Sequence, residues 1–163
     1  LPGEFIGAPE AGWTEINPFA DVEGPASFVS GEADSRLLRV KYFLRERDNA
    51  IVGKVWFGPR AGGPASHIHG GAIAAVMDEA VGAAAYHAGH TILLIRLNVN
   101  FRMMAPSMKE VMLETEIRKV HGRKVFVFAR LHDEKGVSIA EAEGFGVKVP
   151  MEKLALERNK ARS

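Results

Sequence analysis

The sequence contains no cysteine, and that absence removes disulfide bonds, thiolate metal ligation and a cysteine nucleophile together. Net charge is nearly lacking as well. The 21 Lys and Arg face 20 Asp and Glu, leaving a formal +1 and no broad positive field to attract nucleic acid or an anionic membrane surface. No apolar run reaches the roughly eighteen residues needed to span a bilayer. Leu1 to Asn17 has neither a basic n-region nor an apolar h-region. Also missing are a serine elbow of the G-x-S-x-G type and a glycine-rich phosphate loop. His67 with His69, and His87 with His90, lack a third ligand at metal spacing. The expectations are a cytoplasmic protein with no metal, no cofactor, no nucleic-acid partner and no membrane partner, whose chemistry uses carboxylate, histidine or backbone groups. The chain opens on Leu rather than Met, which leaves room for an upstream segment.

What remains is an ordinary globular composition, 47% hydrophobic and 25% charged over 163 residues, the size of one domain. Residues 1–33 are dense in Pro and Gly and read as an irregular arm, which Trp13, Phe19 and Phe28 could pin to the domain. Residues 34–149 read as the domain itself, and 150–163 as a charged tail with a short helix. Within the domain, strand-like runs at 36–45 and 50–57 flank a turn at Asp48 and Asn49. From Gly70 to about Ala88 the chain is rich in Ala and free of Pro, enough for a helix of roughly 28 Å at 1.5 Å per residue. Its apolar residues cover nearly every face, which predicts burial on all sides inside a wrapping sheet. Four further strands follow, at 92–104, 109–120, 124–133 and 137–149, with turns at His121–Gly122 and Asp133–Gly136 short enough to demand antiparallel neighbours. The alternation of Ile95, Leu97, Val99 and Phe101 with Arg96, Asn98, Asn100 and Arg102 marks a half-buried strand, and the same period puts Leu94 on its polar face.

Asp78 and Glu79 sit midway along this apolar helix, where an ionised carboxylate is costly unless paired and where burial raises its pKa. Successive helical positions differ by about 100°, so the two point in different directions. Either one could be catalytic, and either could be a structural carboxylate paired to a strand Arg. His69, Gly70 and Gly71 precede the helix. Free N–H groups and the positive dipole end lie there, and glycines let a carbonyl approach the backbone, the arrangement that stabilises a tetrahedral oxyanion. His69 could orient the substrate or simply cap the helix.

The string HGGAIAAVMDEAVG, with nine positions from His69 to Asp78, resembles the signature of hotdog-fold acyl-CoA thioesterases of the phenylacetate-pathway type. RLNVNF (96–101) and KVHGRKVFV (119–127) are similar to strands of the mammalian mitochondrial long-chain members of that superfamily. The resemblance covers roughly Arg36 to Val149. It implies an α+β hotdog fold, a five- or six-stranded antiparallel sheet around one long helix. It further implies homodimers or dimers of dimers with active sites between subunits, and an acyl-CoA substrate. By the same similarity the Gly70 N–H polarises the thioester carbonyl, and Asp78 from the facing subunit acts as general base or nucleophile.

There are departures from the family pattern. Leu94 stands where many relatives have a Thr or Ser that holds the attacking water. Gly63 replaces an Asn six residues before the motif histidine, and Met103–Met104 replace an Arg-Pro pair. Arg123 and Lys124, beside His121 and Lys119, form the densest basic cluster and suit the phosphates of coenzyme A, while equally being a solvated hairpin tip. Asn98 and Leu94 complete the candidate substrate-binding residues. Met77, Met103, Met104, Met108 and Met112 could line an acyl pocket or fill the core. The rival readings are a non-catalytic acyl-CoA binding module, favoured by Leu94, and a hotdog enoyl-CoA hydratase. Asn17, Pro18 and Asp21 echo the hydratase motif without its histidine.

Overall fold

The computed structural model describes residues 6–31 and 36–162. The expected boundary between arm and domain, at residues 33 and 34, lies outside them. In chain order the elements are β1 (Trp13–Ile16), β2 (Leu38–Arg45), β3 (Ala50–Phe57), α1 (Gly70–His87), β4 (Ile92–Phe101), β5 (Glu110–His121), β6 (Lys124–His132), β7 (Ser138–Lys148) and α2 (Met151–Arg162). The strands form one antiparallel sheet in the order β1-β2-β3-β5-β6-β7-β4, with α1 lying across one face. This is the hotdog arrangement, with a seventh strand beyond the five or six expected.

The extra strand comes from the arm. Trp13 to Ile16 pair with Arg45 to Tyr42 of β2, and the Trp13 ring meets Phe43 at 5.7 Å between centroids. Four residues are too few for alternation to register, which is why the segment reads as irregular. Upstream of β1 the arm is fastened to the face away from α1. There the buried Lys54 donates to the Ala8 carbonyl (2.7 Å) and pairs with Glu10 (2.9 Å) and Glu110 (3.3 Å). A buried ammonium persists only with such partners. Downstream of β1 the arm turns to the α1 side, where Val29 joins the core and Phe19 contacts Tyr86 of α1 at 6.4 Å.

The core fills the space between α1 and the inner face of the sheet. Ile73, Val76, Met77, Ala80 and Val81 of α1 pack on Val55, Leu113, Val127 and Ala142. A Cβ on Gly144 of β7 would lie 2.5 Å from Val81 Cγ1, so that glycine sets how closely helix and sheet approach. Burial of α1 is not complete, contrary to expectation. Gly71, Asp78 and His87 are exposed, because the sheet of a single chain curls around only part of the helix.

β4 lies at the sheet edge and pairs only with β7 among the described residues. A β-bulge interrupts its register between Leu94 and Arg96, opposite Gly146 and Phe145, so Ile95 is the extra residue. The bulge corrects the expected facing. Because side chains alternate with period two, one inserted residue flips everything before it. Leu94 therefore shares the inner face with Ile92, Leu97 and Val99 and packs on the core, while Ile95 is 56% exposed. No helix among the described residues is long and apolar enough to cross a membrane.

Candidate functional site

The site begins in the loop that delivers the chain to α1. Gly62 and Ile68 form an isolated antiparallel bridge, and the His69 N–H donates to the Ala61 carbonyl at 2.8 Å, so the residues before the helix are tightly tied. His69 is the N-cap of α1, and its Nδ1 accepts the Gly71 N–H at 2.8 Å. An accepting Nδ1 in a neutral ring leaves the proton on Nε2, which points away from the cap as a donor. A Cβ on Gly71 would lie 2.9 Å from that Nδ1, so glycine is what allows the ring to fold over the helix start. Gly63 is also accounted for, since a Cβ there would fall 3.1 Å from the His69 Cα and an Asn side chain would crowd the cap.

With the Gly71 N–H taken by His69, the free donor is narrowed to Gly70. Among the described residues its N–H has no hydrogen-bond partner. The ring of Phe101, at the end of β4, lies over Gly70, 3.3 Å from where a Cβ would stand, yet Phe101 is 54% exposed. It forms an apolar wall beside an unbonded donor at the positive end of a helix. Sequence reading counted Phe101 only as part of an alternating strand. Its exposure at the last strand position is the signal that distinguishes it.

Asp78 and Glu79 separate cleanly. Glu79 faces the arm, where its Oε1 accepts the Tyr42 hydroxyl (2.9 Å) and its Oε2 accepts the Ser27 hydroxyl and, at 3.4 Å, the Ser30 N–H. Burial, and then the negative charge of Glu79, keep the Tyr42 phenol protonated and donating. The structural partners of this carboxylate are thus hydroxyls rather than an Arg on a strand. Asp78, one position earlier, looks out on the uncovered flank of α1 with no hydrogen bond or ion pair among the described residues. Its carboxyl pKa is raised, mainly by desolvation against the helix surroundings and secondly by the charge of Glu79. A carboxylate that is accessible, unpaired and easier to protonate than usual is suited to take a proton from water.

The remaining candidates are dispersed. Arg123, Lys124 and His121 are exposed at the β5–β6 hairpin, where the Arg123 and Lys148 backbones are tied and the Arg123 guanidinium donates to the Lys148 carbonyl at 3.3 Å. Lys148 pairs with Ile92, the opposite end of β4 from Phe101, so this tip lies about 30 Å along the strand from Gly70 at 3.3 Å per residue. Asn98 is on the outer face of the sheet, away from Gly70 and Asp78. Met77 is fully buried filler, whereas Met103, Met104 and Met108 are exposed. The Asn17 side chain accepts the Phe19 N–H at 3.0 Å and is a turn residue in the arm. His67, two residues before the cap, carries a buried Nδ1 with no partner. No three His, Asp or Glu side chains among the described residues gather to hold a metal.

The curled antiparallel sheet, the single long helix and the glycine-lined helix start define a hotdog-fold domain. Residues 65–140 match the family model of the Thioesterase superfamily. The bovine (Bos taurus) acyl-coenzyme A thioesterase THEM4 is 33% identical over 128 residues, 77% of this chain and 52% of the relative, so the chain spans about half the length of that protein. Among solved structures, the E. coli PaaI protein from the phenylacetic acid degradation operon aligns with a TM-score of 0.59 at 12% identity, over 62% of this chain and 73% of its own. A Bacillus halodurans protein solved with CoA aligns at 0.55 and 18% identity, over 60% and 66%. These two structures share the fold.

Proposed function

We propose that this chain is an acyl-coenzyme A thioesterase that works as a homodimer or a dimer of dimers, each active site using two chains. The observation that carries the reading is the split between Gly70 and Asp78. The free N–H and the free carboxylate are eight residues apart on one helix, about 12 Å along its axis. A thioester carbonyl held at Gly70 must be attacked by an atom about 3 to 3.5 Å away, so Asp78 of the same chain is out of reach and Asp78 of the partner subunit supplies the base. The edge of β4, unpaired among the described residues, offers the means. Antiparallel pairing of two β4 strands about a two-fold axis sets the Phe101 end of one beside the Ile92 end of the other. The partner's Arg123 and Lys124 are thereby brought toward the helix start of the first chain, where they can meet the phosphates of coenzyme A.

In this arrangement the substrate carbonyl oxygen accepts the Gly70 N–H, with Phe101 against it excluding water. Asp78 of the partner subunit takes a proton from a water molecule, whose oxygen attacks the carbonyl carbon. The tetrahedral oxyanion is stabilised at the helix start. Its collapse breaks the carbon–sulfur bond and releases the free acid and the CoA thiolate, which recovers a proton. The alternative, direct attack by the Asp78 carboxylate, passes through an acyl anhydride that water then cleaves, and it uses the same groups.

The test is steady-state hydrolysis of a panel of acyl-CoA thioesters by the wild type, Asp78→Asn and Glu79→Gln. Asp78→Asn should lower kcat by about a hundredfold or more with the fold intact, while Glu79→Gln keeps most activity. Saturable CoA binding without any turnover by the wild type would instead assign the protein to the non-catalytic binders.

A further inference from the structure

The outer face of the sheet, opposite α1, carries a feature the thioesterase chemistry does not use. Antiparallel strands place polar residues on a face that meets water, yet Phe126 and Phe128 of β6 and Phe145 of β7 stand on this one. Phe126 stacks on Phe145 with centroids 5.1 Å apart and planes at 27°. Two cations are laid over these rings. The Arg118 guanidinium is 4.4 Å from the Phe128 centroid, and that of Arg96 is 5.6 Å from the Phe145 centroid. With Asn98 and Glu143, these side chains line a cavity of about 380 Å³, within the size range of small-molecule sites.

The cations remain available. Arg96 has no carboxylate partner among the described residues. Arg118 meets Glu116 at 3.5 Å with both side chains more than half exposed, a contact worth little and readily exchanged. We propose that this cavity binds an adenine nucleotide. The stacked phenylalanines offer a platform for the purine ring, since every base has a π-face and stacking on aromatic side chains is favourable. Asn98 and Glu143 present acceptors for the exocyclic amine or the ribose hydroxyls. Arg96 and Arg118 present forked donors suited to phosphate oxygens. The ligand is a second molecule, not the far end of a thioester held at Gly70, because Arg96 and Asn98 alternate along β4 with Leu97 and Val99, which face α1. It could be a free nucleotide or the nucleotide portion of a separate coenzyme A.

The probe is ADP, titrated calorimetrically into the full chain, with adenosine and free CoA as companions. Saturable binding of ADP is expected. Arg96→Gln should weaken it by roughly tenfold or more, the worth of one hydrogen bond to a charged group, while changing adenosine little. Phe145→Leu should weaken both ADP and adenosine, with circular dichroism confirming the fold. If CoA displaces ADP and its own affinity falls in Arg96→Gln, the occupant includes the nucleotide portion of CoA. If CoA and ADP bind together, the site is for free nucleotide. Absence of saturable ADP binding at millimolar concentration, or an affinity unmoved by Arg96→Gln, overturns the proposal. So does a smaller assembly in Arg96→Gln with no ADP binding, which would make the patch a contact between copies of the chain. None of these readouts depends on thioester hydrolysis.

Discussion

A rotation of about 100° separates Asp78 from Glu79 on α1, and that angle places one toward the arm and the other toward open solvent. The raised pKa of Asp78 has a definite sign in stability. Its folded pKa lies above the unfolded one, so the neutral carboxyl contributes stability below the ordinary aspartate range, and that contribution is lost as pH rises through the raised folded value. At neutral pH, Asp78→Asn should therefore melt no lower than the wild type while its kcat falls. If Asp78 is the base it must be ionised, so the acid limb of kcat/KM should lie above where an ordinary aspartate would put it. Glu79→Gln removes the smaller of the two causes and should move that limb to lower pH, leaving the desolvation part in place. A pH–rate profile of the two proteins checks this. A limb that stays fixed in Glu79→Gln would mean that Asp78 does not sense its neighbour.

Among the elements, β4 departs furthest from its sequence reading. The bulge makes Leu94 a core-facing side chain, so Leu94→Val and Leu94→Thr should both lose stability, by about 1 kcal/mol for the lost methylene and more for Thr, whose hydroxyl enters an apolar site. The packing geometry predicts equal falls in kcat. A gain confined to Thr, measured beside the melting temperatures, would identify a water-holding position instead. Much of the architecture was legible beforehand. The Ala-rich run sits on α1 to within a residue, and the strands fall within a few residues of the apolar runs, because periodicity is a local property of the chain. The bulge was not, since Leu93, Leu94 and Ile95 are all apolar and alternation cannot say which is the extra residue. In the candidate site, the spacing from His69 to Asp78 was legible from the glycines and the carboxylate. The hydrogen bonds that tie Glu79 to Tyr42 and Ser27 were not, because they depend on where a distant arm packs, and neither was Phe101, whose contact with Gly70 joins residues 31 positions apart.

At the scale of the molecule, the two sheet edges differ. β1 ends one with only four residues of the arm, whereas the ten residues of β4 have no strand on their far side among the described residues, with Leu93 and Ile95 more than half exposed. Long apolar edges invite pairing, and a second copy is the partner the functional reading requires. The 12 Å spacing along α1 then has a genetic consequence. If each reaction centre takes Gly70 from one chain and Asp78 from the other, two inactive proteins can rescue each other. Asp78→Asn lacks the base. Gly70→Val should obstruct the oxyanion position by driving a side chain into the Phe101 ring. Coexpressed and randomly assorted, they would form about half mixed dimers, each with one centre free of both lesions, and restore about a quarter of wild-type activity. Intragenic complementation of that size is expected from coexpression, and separately purified mutants mixed without subunit exchange should stay inactive.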